Sequence, residues 1–212
     1  MIADRIALIG ANGNMGRRYA KIMDWCNIAY SSFDIPNMDK LPEKIGKCES
    51  IILATPTECH FEMLMHLKQY NLPILCEKPI TKNLDQLYRI LNSDIKLRMV
   101  NQYAYIANRN KPVGATMSDP MAESWYDYFK SGGDGLYWDC INIIGLANNF
   151  PTLSNESPIW KCRINNQDLN IAEIDYSYIA MIKDWKNNPK PDHDYIALAH
   201  ERVHAKMQKE WS

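Results

Sequence analysis

The 212-residue sequence predicts an α/β chain, a parallel sheet covered by helices up to about residue 100 followed by a shorter α+β region. Three observations carry this. Short apolar runs alternate with amphipathic stretches through the first hundred residues, the pattern of parallel strands joined by helical crossovers. The connections between them are brief, as consecutive crossover units require. After Val100 the alternation gives way to aromatic-rich, glycine-interrupted sequence with two helical stretches near the end. The expected domains are therefore residues 1–100 and 101–212.

Ile6–Ile9 is apolar throughout and ends at Gly10, a buried strand. From Met15 to Trp25 the apolar residues Met15, Tyr19, Ile22 and Met23 recur at helical spacing. Ile28–Phe33 and Ser50–Ala54 read as strands, Phe61–Leu67 as a helix and Leu72–Cys76 as a strand. Leu84–Leu91 is helical with Asn83 as its N-cap, and Leu97–Val100 closes the series. Between Ile35 and Glu49, Pro36 and Pro42 leave room for one brief helix, so the sheet is expected to be trimmed. In the second half, Asn101–Ala107 reads as a strand or linker and Ser118–Lys130 as partly helical. Leu136–Ala147 is an apolar run after the turn Gly132-Gly133-Asp134-Gly135. Trp160–Ile164 reads as a strand, and Asp175–Trp185 and Tyr195–Trp211 as helices.

Composition narrows the function classes. A net charge of −1 supplies no field for nucleic acid or an anionic membrane, and the aromatic residues lack the basic interleaving of a base-stacking surface. No apolar stretch approaches the roughly 18 residues of a membrane span. The opening Met-Ile-Ala-Asp-Arg leads straight into a strand, leaving no room for a signal peptide. The six cysteines show no metal or redox spacing and read as reduced thiols of a cytoplasmic protein. His200-Glu201-Arg202-Val203-His204 satisfies the H-E-x-x-H pattern of zinc peptidases. On a charged helix close to the chain end it reads as a solvated face, and no metal site is expected.

Two features point to a dinucleotide. Gly10-Ala11-Asn12-Gly13-Asn14-Met15-Gly16 follows a strand and opens a helix. Glycines there let the backbone turn sharply and approach a pyrophosphate, and the helix N-terminus offers unpaired N–H groups. Alone, the G-x-x-G-x-x-G spacing is equally compatible with an ordinary glycine turn. Asp34 closes the second strand, 24 positions after Gly10, where a carboxylate can accept hydrogen bonds from an adenosine ribose. It would repel a 2′-phosphate, so NAD is expected over NADP. Together these predict a reduced Rossmann sheet.

The next two strand ends carry Ala54-Thr55-Pro56-Thr57 with His60 following, and Glu77-Lys78-Pro79. Both lie where ligands bind in open parallel sheets. With these motifs, residues 5–100 resemble the Gfo/Idh/MocA oxidoreductases, the family of glucose-fructose oxidoreductase and inositol dehydrogenase. The resemblance implies a Rossmann domain paired with a C-terminal sheet domain that here is shortened. It implies that Lys78 faces the nicotinamide and the substrate, where a neighbouring positive ring makes an ammonium easier to deprotonate and able to exchange a proton with a hydroxyl. Orienting the substrate as a fixed cation is the other role open to it. The Lys78–Pro79 bond is a candidate for the cis form. Gly10, Asn12, Gly13, Asn14, Met15, Asp34, Thr55, Pro56, Thr57, His60, Glu77 and Lys78 are the expected cofactor contacts; His60 either touches the site or only begins its helix.

In the second half, Asp139 matches the family's aspartate after a glycine-rich turn. Ile143 stands where the family has histidine, and Leu146 replaces a later acidic residue. Lys78 and Asp139 are left as acid–base candidates, with Asn142, one helical turn beyond Asp139, as a substrate contact. The resemblance implies an NAD(P)-dependent oxidoreductase acting on a small polar, sugar- or cyclitol-like molecule, with a homo-oligomer formed through the C-terminal half. Ile143 and the reduced second domain keep open a non-catalytic dinucleotide-binding sensor or assembly subunit. A transient redox step within glycoside cleavage is a third possibility.

Overall fold

The computed structural model describes residues 5–34, 45–106, 115–118, 138, 140–146, 152–154, 161–164 and 167–210. The chain divides into two compact units, Met1–Val100 with Ile179–Asp194, and Asn101–Tyr178 with Tyr195–Ser212.

The first unit is built on β1 (Ile6–Ile9), α1 (Asn14–Trp25), β2 (Tyr30–Phe33), β3 (Ser50–Leu53), α2 (Thr57–Leu67), β4 (Ile74–Cys76), α3 (Leu84–Leu91) and β5 (Leu97–Met99). The strands form one parallel sheet in the order β2-β1-β3-β4-β5. Every residue of β1, β3 and β4 is buried, which is why these segments, Ser50 apart, read as apolar runs rather than alternating ones. α1 buries Gly16, Tyr19 and Met23, and α3 buries Leu87 and Ile90. The Asn83 side chain accepts the Gln86 N–H at 3.0 Å, the expected cap. Residues 35–44, where the sequence suggests a brief helix, lie outside the described residues.

The far edge of this sheet is closed by chain from near the C-terminus. The Asp192 N–H donates to the Leu97 carbonyl at 3.0 Å, and Arg98 Nε donates to the Lys190 carbonyl at 3.0 Å. Arg98 also pairs with Asp184 at 2.9 Å and lies over the Trp185 ring. An edge strand with free donors and acceptors is a liability, and this return covers it.

The second unit contains a four-stranded mixed sheet. β6 (Ala115–Ser118) runs parallel to β7 (Thr152–Ser154) and antiparallel to β8 (Lys161–Ile164), which pairs antiparallel with β9 (Gln167–Leu169). Its described helices include α4 (Ile141–Leu146). α5 (Ile171–Asn187) and α6 (His193–Glu210) each run across the division between the units. Where the sequence reads as a strand or linker, Gln102–Tyr105 form a 3₁₀ turn, closed by Ala104 N–H to Asn101 O and Ile106 N–H to Tyr103 O, both at 3.3 Å. Ser118 ends β6, and the helix expected up to Lys130 lies outside the described residues. α5 starts earlier than its apolar pattern suggests because Asn170 and Glu173 cap each other, each backbone N–H donating to the other's side chain at 2.9 Å.

α4 and α6 pack closely. A Cβ on Gly145 would fall 2.6 Å from Tyr195 Cε2 and 2.8 Å from Ala199 Cβ. The Tyr195 hydroxyl donates to the Asn142 carbonyl at 2.7 Å, and Arg202 donates to the Ile144 carbonyl at 2.9 Å, satisfying carbonyls at the end of a short helix. The H-E-x-x-H pattern is not a solvated face. His200 is fully buried, and burial lowers its pKa from 6.5 to about 4. Both His200 and His204 lie against the Trp138 ring. Charge on α6 is carried by its other faces, so a pattern of charged neighbours misjudged this one.

No described helix is long and apolar enough to cross a membrane. Cys26, Cys48, Cys59, Cys76 and Cys140 are free thiols. Complete burial and then the nearby Glu77 carboxylate raise the Cys76 thiol well above its ordinary pKa, so it packs as a small hydrophobe.

Candidate cofactor site

β1 has neighbours on both sides that arrive by opposite crossovers, β2 on one and β3 on the other. A crevice at the carboxyl ends of the strands forms at such a reversal. The turn after β1 lies there. The Gly10 N–H donates to the Phe33 carbonyl at 2.9 Å, and the Ala54 N–H to the Ile9 carbonyl at 2.8 Å, tying the turn to both flanking strands. Gly10 has φ +84°, and a Cβ on it would sit 2.6 Å from the Ala54 carbonyl oxygen. Gly16 permits a closer approach still: its Cβ would fall 2.0 Å from the Gly10 carbonyl oxygen. These two glycines fold the turn against α1 and β3. Gly13 is different. A Cβ there would meet nothing nearer than 3.4 Å, and Asn12, Gly13 and Asn14 are exposed.

α1 begins with Gly13 as N-cap, with no side chain capping its first N–H groups and no acidic residue in its first turn. Such an end suits an anion. Met15 is half-buried beside it. Arg17 donates to the Asn12 carbonyl and, at 2.7 Å, to Asn14 Oδ1, holding the turn from its exposed side. Asp34, at the end of β2, accepts the Asn12 N–H on Oδ2 at 3.0 Å. The carboxylate that the sequence assigned to a ribose is therefore also an anchor of the turn.

On the other side of β1, Thr55, Pro56 and Thr57 lead from β3 into α2. Thr55 Oγ1 is buried with no hydrogen-bond partner among the described residues. A buried hydroxyl in that state is costly, and a polar ligand in the crevice would relieve it. The open backbone at Gly13, the uncapped helix end and this hydroxyl fit a dinucleotide.

The end of β4 carries Glu77, Lys78 and Pro79. The Lys78–Pro79 peptide bond is cis. Glu77 is 7% exposed; its Oε1 accepts the Tyr19 hydroxyl from α1, and its Oε2 accepts the Lys78 N–H at 3.1 Å. His60, 0% exposed, places Nδ1 2.9 Å from the Pro79 carbonyl and Nε2 2.8 Å from the Thr55 carbonyl. Lys78 itself is half-buried. Sequence reasoning took Tyr19 for a core residue. A buried tyrosine on the helix after a glycine turn must send its hydroxyl to an acceptor, and the glutamate at a nearby strand end was the available one.

In the second unit, Asn142 is 1% exposed, donates from Nδ2 to Gln102 Oε1 at 2.9 Å and accepts the Ile143 N–H on Oδ1. Ile143 is fully buried. Asp139 lies outside the described residues. Among the described residues no three His, Cys, Asp or Glu side chains are placed to hold a metal ion.

This is the geometry of a Rossmann crevice. Residues 26–98 match the model of an oxidoreductase family with an NAD-binding Rossmann fold, Gfo/Idh/MocA. That match spans the strand ends at Thr55 and Lys78 and begins after the glycine turn. Solved structures extend the likeness of fold beyond this segment. A myo-inositol dehydrogenase from Corynebacterium glutamicum superposes with TM-score 0.72 at 12% identity, covering 97% of this chain and 96% of that one. The WlbA dehydrogenase from Thermus thermophilus, solved with NAD and UDP-GlcNAcA, gives 0.64 at 12% identity over 94% and 93%. UDP-N-acetylglucosamine 3-dehydrogenase from Acidithiobacillus ferrooxidans gives 0.65 at 16% identity over 98% and 97%. No curated protein matches the sequence.

Proposed function

We propose that the first unit binds NAD and that the chain is an NAD-dependent oxidoreductase. It would move a hydride between the nicotinamide and a carbinol or carbonyl carbon of a small polar molecule, sugar- or cyclitol-like in class. The observation that carries this is the set of four neighbouring strand ends: the Gly10 turn, flanked by Asp34 on one side and Thr55 on the other, with Lys78 at the end of the next strand.

In this reading the backbone of Asn12, Gly13, Asn14 and Met15 faces the pyrophosphate, and Gly10 shapes the turn. Asp34, with one carboxylate oxygen on the Asn12 N–H, turns the other to the adenosine ribose. That favours NAD, since a 2′-phosphate beside the same carboxylate would be repelled. Thr55, Pro56 and Thr57 line the nicotinamide side, with the Thr55 hydroxyl supplying a hydrogen bond. Glu77 and His60 hold the loops. NAD, when bound, supplies the hydride acceptor. In the oxidising direction the substrate's C–H bond gives up the hydride, its O–H bond gives up a proton, and a C=O bond forms. Lys78 takes or orients that proton. The inventory of relatives supports this class: the solved structures named above are dehydrogenases of a cyclitol or of nucleotide-linked sugars by their names.

The test has two stages. NADH is titrated into the full chain by fluorescence and calorimetry, and a panel of polyols, aldoses and nucleotide sugars is then assayed for NADH formation. Binding with turnover that Lys78→Ala abolishes, while leaving NADH affinity in place, is the expected result. Binding with no turnover across the panel assigns the chain to the non-catalytic reading that Ile143 suggests.

A further inference from the structure

We propose that Tyr19 and His60 are positioning residues that clamp the Lys78–Pro79 segment from two helices and so set where the lysine stands at the nicotinamide end of the crevice. The proposal rests on the reading of the site as a dinucleotide crevice.

Four contacts make the clamp. Tyr19, fully buried on α1, donates its hydroxyl to Glu77 Oε1. The other oxygen of that carboxylate takes the Lys78 N–H. His60, fully buried on α2, sets its two ring nitrogens against the Pro79 and Thr55 carbonyls, a neutral ring donating to one of them. The backbone on both sides of the lysine is thus fixed by buried side chains, one on the helix that opens at the glycine turn and one on the helix that follows Thr55. A side chain on a loop held only by its own strand would wander with the loop. Here the polar groups beside the lysine are withdrawn from water, and leaving any one of them without its partner is costly.

The arrangement also divides labour in the crevice. The clamp's hydrogen bonds run to Glu77, Lys78, Pro79 and Thr55, whereas the glycine turn and Asp34 are tied through Asn12, Arg17, Phe33 and Ala54. Loosening the clamp therefore affects the nicotinamide end and spares the adenosine end.

That asymmetry is the test. Tyr19→Phe removes a single oxygen, and His60→Gln keeps one donor in a similar volume. Each full-length variant, with its fold checked by circular dichroism, is titrated with ADP-ribose, which lacks the nicotinamide, and with NADH. The clamp predicts ADP-ribose affinity within about twofold of wild type and NADH affinity weakened on the order of tenfold. Equal weakening of both ligands, or no change in either, overturns it. Should His60→Gln not fold, Tyr19→Phe decides alone. A wild-type chain that binds neither ligand defeats the dinucleotide reading itself, an outcome distinct from wild-type binding with unaltered variants.

Discussion

His60 and His200 are both fully buried, each in a different unit, and their ring nitrogens have different surroundings. His60 has a backbone carbonyl at each ring nitrogen. His200 has one, the Ile196 carbonyl at 2.7 Å from Nδ1, while its Nε2 is buried without a hydrogen-bond partner among the described residues. The first ring joins two loops at the carboxyl ends of strands; the second packs against Trp138 within a helical layer. The contrast separates the units by what their polar groups do. In the first, buried polar side chains hold backbone that faces a crevice. In the second, the described ones seal contacts between helices, as Asn142 with Gln102 and Tyr195 with the Asn142 carbonyl do.

The contrast can be broken at its strongest point first. Gly16→Ala drives a Cβ into the Gly10 carbonyl, 2.0 Å away. Backbone must move, so the expected outcome is a loss of several kcal/mol in stability or, in whatever folds, NADH affinity lowered by more than about 100-fold. Urea unfolding and fluorescence titration read the two. Wild-type values in both would remove the close-packed turn from the account.

The second effect belongs to His200. Its folded-state pKa, about 4, lies below the ordinary 6.5, chiefly because burial disfavours the cation. The unfolded chain therefore binds a proton more readily. Stability is full above pH 6.5, falls as the pH drops from there towards 4, and levels off below. The size is on the order of 3 kcal/mol. Urea unfolding of wild type and His200→Met at pH 7.5 and 5 checks this; the substitution should flatten the acid limb. An identical slope in both would show that another group carries it.

Asp34→Ala should weaken NADH binding about tenfold and narrow the preference over NADPH, by loss of a ribose acceptor and of the anchor on the Asn12 N–H. Parallel titrations with the two cofactors measure it. The smallest effect is expected at the sheet edge. Arg98 and Asp184 form a half-exposed ion pair at 2.9 Å, so Asp184→Asn should cost about 1 kcal/mol or less at low salt, and less again when salt is raised. A larger loss would mean that the returning segment is fastened to β5 mainly through this pair.

The sequence was legible where physical constraints are local and strong. β1 and β3 are buried on both faces, so they appear, Ser50 apart, as apolar runs ended by a glycine or a Thr-Pro turn. The strand ends follow directly, and with them Asp34, Thr55 and Lys78. β9, Gln-Asp-Leu, has no such signature: its register with β8 defines it, not its residues. The start of α5 was legible in principle, since Asn170 and Glu173 have capping-box spacing, but the apolar pattern used to find the helix begins further on. Tyr19 and His60 were visible as residues and not as partners. Hydrogen bonds spanning 58 and 19 positions depend on the sheet order, which places α1, α2 and the end of β4 together. The return of residues 179–194 to the first unit is likewise a tertiary fact that no local pattern announces.

The central claim is that the bend after β1 accepts the phosphates of NAD. It is tested most directly by calorimetric titration of the full-length protein with NADH, with ADP-ribose as competitor. The account predicts one saturable site, displaced by ADP-ribose and lost in Gly16→Ala. No heat from a folded sample at about 1 mM NADH, a concentration that would reveal even a site worth only about 4 kcal/mol, would contradict it.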